Sequence, residues 1–194
     1  MLHSKFKQLF KSYFFASVGL YVSSFLIGYV VFLPIVDLNL SDFQWLNTMS
    51  NPLQMAGTPD ALFIMKNNLY AVLVLISGSF LLGITTFITL VFNGFSFGAL
   101  TCAMIAEGTP FSTLLLLTLP HATLELPAIW LAGTAGFKIP YELMRYFTDK
   151  KDYILSKEEV IDFLMLSGIA IILIVIAAVI EANITLKIAE NLAL

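Results

Sequence analysis

The chain has 194 residues, of which 59% are hydrophobic and only 12% are charged, and its formal net charge is −3. Soluble domains carry roughly 25% charged residues, so this composition and the mean hydropathy of +0.90 exclude a water-soluble protein. The weak charge gives no reason to expect a nucleic-acid partner. One cysteine, Cys102, excludes an internal disulfide bond. We expect an all-α, polytopic membrane protein.

Long uncharged runs predict about five transmembrane helices in a single integral membrane domain, 1–194. The uncharged run 67–106 must turn back on itself, because a bilayer core of about 30 Å needs only about 20 helical residues. The first apolar stretch lacks a small-residue cleavage site, so we interpret it as a retained span. The predicted spans are about 12–36, 67–91, 94–106, 111–137 and 163–185.

Two of these spans and two of the polar segments between spans carry further expectations. The third span is short and is predicted to be tilted or partly re-entrant. Pro120 and Pro127 interrupt the fourth span, and each removes a backbone donor, which predicts a kinked or broken helix. Residues 37–66 are expected to form an extramembrane loop, and residues 138–162 to form short interfacial helices.

The basic residues predict the orientation of the spans. Cytoplasmic loops of membrane proteins carry an excess of Lys and Arg. With the N-terminus inside and the C-terminus outside, Lys66 and Lys187 are the only two of the ten basic residues that remain outside. This count favours five spans over four and predicts a multi-pass protein of the cytoplasmic (inner) membrane.

Small residues recur at helical spacing in the third and fourth spans. In lipid, small residues let helices approach closely, and close packing is the main force that holds a bundle together. We interpret them as contacts within the bundle, with a homo-oligomer interface as the alternative. These helix-packing candidates are Gly94, Gly98, Ala128, Ala132 and Gly136.

Four polar residues inside the apolar segments form the candidate site. His121 and Glu125 are four residues apart and share a helix face, while Glu181 in span 5 and Asn68 in span 2 are possible neighbours. Three interpretations stay open: a cluster that fixes helix register, a site that binds substrate or carries protons, and a metal site. One His and two Glu would suffice for zinc, but the H-E-x-x-H pattern of helical zinc peptidases is missing.

Several short motifs together resemble the stage II sporulation protein M family. The likeness covers most of the chain from residue 67 to the end of the last span, with the motifs in order. They are Asn67-Asn68, Phe92-Asn93-Gly94-Phe95 with Gly98, Pro120-His121, Glu125-Leu126-Pro127-Ala128, Ala132-Gly133, Ala135-Gly136 and Glu181-Ala182.

This resemblance implies a membrane scaffold. The sporulation member of the family helps to bring cell-wall hydrolases together during engulfment of the forespore, and another branch accompanies genes for circular bacteriocins. We therefore expect a protein that supports a membrane-associated complex without catalysing a reaction alone and without a cofactor. Its expected partners are the lipid bilayer and other membrane proteins. The alternatives are a transport or export component, for example for a peptide, and a metal-dependent intramembrane hydrolase.

Overall fold

The computed structural model describes residues 2–36, 61–185 and 187–188, and this part of the chain consists of helices and turns without a strand. The five long helices are α1 (Leu2–Val36), α2 (Ala61–Ser77), α3 (Ile84–Ala106), α4 (Phe111–Phe147) and α5 (Lys157–Ile180). A 3-10 turn, Gly78–Phe80, follows α2, and a π-helical turn, Glu181–Thr185, follows α5.

The described part of the chain contains five helices that are long and apolar enough to cross a membrane. Large apolar side chains on their outer faces are exposed, as lipid contact requires; Ile27, Ile88, Leu164 and Ile172 are examples. The predicted all-helical membrane protein is therefore confirmed. The N-inside orientation stays a prediction.

The turn between the second and third helices lies earlier in the chain than the sequence suggested. We expected it near Asn93 and Gly94, but the chain turns at residues 78–83, where Gly83 has a φ of 80° and its N–H donates to the carbonyl of Gly78. Glycine adopts this left-handed conformation without steric cost. Asn93 instead bonds back to its own helix through the carbonyl of Thr89. As a result α3 is a full 23-residue helix and not a short re-entrant segment.

The fourth helix is continuous through three prolines, Pro120, Pro127 and Pro140. It begins at Phe111, directly after Pro110, so the expected break or new start at Pro120 is not present. Membrane helices tolerate such prolines because neighbouring helices and side chains satisfy the freed backbone groups. A bend without a break stays a prediction.

Residues 138–162 also differ from expectation. Instead of forming short interfacial helices, they contain the end of α4, a link at 148–156 and the start of α5. The predicted loop at 37–66 lies mostly outside the described residues, and its last part forms the beginning of α2.

Helices α1 and α3 pack together with their backbones in close contact. A Cβ atom built on Gly94 would overlap the carbonyl oxygen of Tyr21, and one on Gly98 would overlap that of Phe25. Gly28 makes the same kind of close approach from α1. The absence of Cβ atoms therefore sets the distance between the two helices.

Helices α2, α4 and α5 form the second part of the bundle, in which α2 also contacts α3. Ala128 and Ala132 of α4 are completely buried there. A Cβ atom on Gly136 would overlap the Thr86 hydroxyl, which donates a hydrogen bond of 2.7 Å to the carbonyl of Leu75. This packing fixes α4 between its neighbours and so positions the side chains described next.

Candidate functional site

The polar residues predicted from the sequence meet at one end of the bundle. This is the end at which α2 begins, α4 begins and α5 finishes. Asn68 comes from α2, His121 and Glu125 from α4, and Glu181 from the π-helical turn, which also supplies Thr185. Because α2 and α4 run antiparallel to α5, positions far apart in the sequence reach the same level of the bundle.

His121 lies between two partners. Its Nε2 is 3.9 Å from Oε2 of Glu125 one helical turn away, and its Nδ1 is 3.1 Å from the hydroxyl oxygen of Thr185. The side chains of His121 and Glu125 are 17% and 25% exposed, so neither is fully shielded by protein. The Thr185 contact at Nδ1 holds the ring with Nε2 facing the carboxylate.

Glu181 connects α5 to α2. The amide nitrogen Nδ2 of Asn68 donates a hydrogen bond of 3.4 Å to its Oε2. π-helical turns are frequent at functional sites because they displace side chains from the regular α-helical register. Here one such turn presents both Glu181 and Thr185 to α4. Asn183, in the same turn, is exposed and bonds to the carbonyl of Val179 in its own helix.

The three ionisable groups converge closely. One possible ligand atom each from His121, Glu125 and Glu181 lies within 4.8 Å of the others. Two ionised carboxylates at such a separation repel by a few kcal/mol at an effective dielectric constant of about 20. The arrangement therefore favours a shared proton or a bound cation, and its donors are those that divalent metals use in proteins.

Thr185 is a member of this cluster that the sequence pattern did not predict. Its position four residues after Glu181 was the available signal, since residues at that spacing share a helix face. That signal is weak, because Ser and Thr in membrane helices commonly bond to their own backbone. The contact with His121 could be recognised only once α4 and α5 were placed side by side.

A second polar cluster, at the opposite end of the bundle, was also missed. Lys138 donates a hydrogen bond of 2.8 Å to Asp162 of α5, and Glu142 accepts one of 3.0 Å from Arg145 and one of 3.1 Å from Lys151. The sequence showed these residues only as loop charges. The spacing of Lys138 and Glu142 by four residues was the signal that α4 continues this far.

Lys151 joins this cluster to the start of α5. Its ammonium group donates to Glu159 as well as to Glu142. Glu159 also accepts from the backbone N–H of Ser156, while the Ser156 hydroxyl accepts from the backbone N–H of Glu159. This reciprocal capping box fixes where α5 begins, so the link between α4 and α5 has a defined conformation.

Comparison with known proteins identifies relatives of this chain. The family described as stage II sporulation protein M matches residues 16–186, which confirms the resemblance predicted from the sequence motifs. An uncharacterised protein of Methanocaldococcus jannaschii is 46% identical over 129 residues, which are 66% of this chain and 72% of that protein. No solved structure matches the chain.

Proposed function

Because the chain belongs to the stage II sporulation protein M family, we propose that it is a scaffold in the cytoplasmic membrane that supports the assembly of a membrane-associated complex. The observation that carries this proposal is an ordered surface at one end of the bundle. We call residues 138–162 the platform. It comprises the end of α4, the link and the beginning of α5.

The length of α4 indicates that the platform extends beyond the bilayer. A helix of 37 residues is about 55 Å long, whereas the hydrocarbon core is about 30 Å thick. Apart from Glu125, the charged residues of α4 lie toward its C-terminal end, beginning with Lys138 and Glu142. With the N-inside orientation that the basic residues favour, the platform faces the cytoplasm.

Ion pairs make the platform a rigid surface. Lys138 and Glu142 are only 6% and 2% exposed, and their partners come from the link and from α5 as well as from α4. Pairs that are shielded from solvent are screened less by salt than exposed ones. A surface that is already ordered loses less conformational entropy when a partner binds, which suits a scaffold.

Exposed apolar side chains stand on this rigid surface. Met144 and Phe147 of α4 are 65% and 71% exposed, and Tyr153 and Ile154 of the link are about half exposed. Aromatic residues and Met are enriched in protein interfaces relative to the rest of the protein surface. We therefore assign the platform as the surface that contacts another membrane-associated protein.

Site-specific photo-crosslinking in the native membrane tests this function. A photoreactive amino acid at Met144 or Phe147 should capture the same protein, identified by mass spectrometry. The matched control is Ile172, which is 60% exposed on α5 and should capture lipid. Phe147→Asp should abolish co-purification of the captured protein while leaving the level of the chain in the membrane unchanged.

The scaffold proposal fails if both platform positions capture only lipid and the extracted chain migrates alone on a native gel. It also fails if Ile172 captures the same protein as the platform positions, because the contact would then not be specific to this surface.

A further inference from the structure

We propose that His121, Glu125 and Glu181 bind a Zn²⁺ ion between α4 and the end of α5. This inference goes beyond the scaffold function and rests on a different part of the molecule. Nitrogen of imidazole and oxygen of carboxylate are both zinc ligands, and three protein ligands with a fourth position open to water form a common zinc site. The structure places one such atom from each residue within 4.8 Å of the others.

The distances fit a site that closes around the ion by side-chain rotation. Zinc bonds of about 2.0 to 2.2 Å place tetrahedral ligand atoms roughly 3.3 Å apart. His121 Nε2 and Glu125 Oε2 are 3.9 Å apart, and the largest separation in the set is 4.8 Å. Contraction by up to about 1.5 Å requires no movement of the helices, since carboxylate groups of Glu rotate about three side-chain bonds.

Supporting hydrogen bonds are already present on two of the three ligands. A zinc-bound His usually engages its other ring nitrogen with a hydrogen-bonding partner that fixes the ring, and ligating carboxylates are hydrogen-bonded in turn. Here the Thr185 hydroxyl contacts Nδ1 of His121, which leaves Nε2 for the metal. The Asn68 amide donates to Glu181. A polar cluster serving only to pair His121 with Glu125 would not need the contacts of Thr185 and Asn68.

The charges also favour a cation at this position. Two carboxylates with a neutral imidazole carry a charge of −2, which one Zn²⁺ neutralises. Lys138, Arg145 and Lys151 are paired at the opposite end of the bundle. Lys66 and Lys187, nearer to the cluster in the sequence, have exposed side chains, and exposed ammonium groups stay hydrated.

Zinc binding would connect α4 to the end of α5, where few polar contacts join the two helices. With the orientation proposed above, the site lies toward the outer face of the membrane, away from the platform. The residual exposure of His121 and Glu125 leaves access for the ion and for a water molecule at its fourth position.

Elemental analysis and thermal unfolding of the full-length protein test the site. Protein purified in detergent is stripped with a chelator, incubated with Zn²⁺ and freed of unbound metal. We expect one zinc per chain and an increase in the unfolding temperature, because a ligand that binds the folded state stabilises it. His121→Asn and Glu125→Gln should each bind less than about one tenth as much zinc at the same free concentration.

Two control variants match these changes. Glu107→Gln makes the same chemical change at an exposed residue just after α3, and Asn183→Ala alters the π-helical turn at a side chain that bonds only within α5. Both should bind zinc like the unaltered chain. Thr185→Val keeps all three ligands and should weaken zinc binding by about 10- to 100-fold, the usual effect of removing a supporting hydrogen bond.

A direct measurement on the unaltered chain keeps the proposal testable if a ligand variant fails to fold. Co²⁺ substituted for Zn²⁺ should give the intense visible absorption bands of a four-coordinate site, and excess Zn²⁺ should remove them. The proposal is overturned if the folded chain binds no stoichiometric zinc, if Co²⁺ gives only the weak spectrum of the hydrated ion, or if His121→Asn and Glu125→Gln bind as much zinc as the controls.

Discussion

Gly98→Ala should destabilise the bundle by about 2 kcal/mol, because the added methyl group would be placed inside the crossing of α1 and α3. A Cβ atom at Gly98 would lie 2.9 Å from both the carbonyl carbon of Phe25 and the backbone nitrogen of Tyr29, and would overlap the carbonyl oxygen of Phe25. These are backbone atoms of a helix, so they cannot rotate away. Helices α1 and α3 must separate by roughly 1 Å.

The magnitude follows from two opposing effects. Inserting a methyl group into packed structure typically costs about 1 to 3 kcal/mol, and a contact that must yield by backbone displacement belongs at the upper end. Alanine also favours the helix over glycine by up to about 1 kcal/mol. The difference is a net loss of about 2 kcal/mol in the free energy of unfolding.

Two glycines provide matched controls for this substitution. Nothing lies within 4 Å of a Cβ atom at Gly19 of α1 or at Gly168 of α5. Alanine at either position should therefore leave stability unchanged or raise it by up to about 1 kcal/mol. Reversible unfolding in detergent or bicelles, followed by tryptophan fluorescence, measures all three variants. If Gly98→Ala is as stable as Gly19→Ala, the close crossing of α1 and α3 is incorrect.

Two further predictions concern the platform and the orientation of the chain. Glu142→Gln should lower the free energy of unfolding by about 2 kcal/mol, because it removes the charged acceptor that Arg145 and Lys151 share. Glu158→Gln, at an exposed site, should change it by less than about 0.5 kcal/mol. Equal losses would exclude a structural role for the platform pairs. In a chain with Cys102→Ser, an impermeant thiol reagent should label Lys150→Cys from the cytoplasmic side and Glu107→Cys from the outside, whereas labelling of both from one side would refute the five-span topology.

Composition and the lengths of apolar runs were sufficient to predict the membrane class and the number of spans, since both depend on bilayer thickness. The location of one turn was not predicted correctly. Asn93-Gly94 has the composition of a turn, but Gly94 is required at the contact with Tyr21, and the actual turn needs the positive φ of Gly83. The sequence alone does not show whether a glycine is needed for a close helix contact or for a positive φ.

The candidate site was predictable only in part, because some of its contacts depend on how the helices pack. His121 and Glu125 share a helix face by spacing alone, and a third ionisable residue in an apolar span had few other partners. The contact between His121 and Thr185 depends on how α5 is rotated against α4, which no local pattern determines. The pair formed by Lys138 and Asp162 is likewise set by helix packing, so the sequence showed these residues only as isolated charges.

The unbroken course of α4 has a mechanical consequence. The helix carries Glu125 near one end of the bundle and Lys138 near the other, which places the two polar clusters about 20 Å apart along one axis. A tilt or rotation of α4 at either end must therefore displace side chains at the other end. An ion bound at His121 and Glu125, as proposed above, would therefore act on the platform through α4 itself, without any loop having to move.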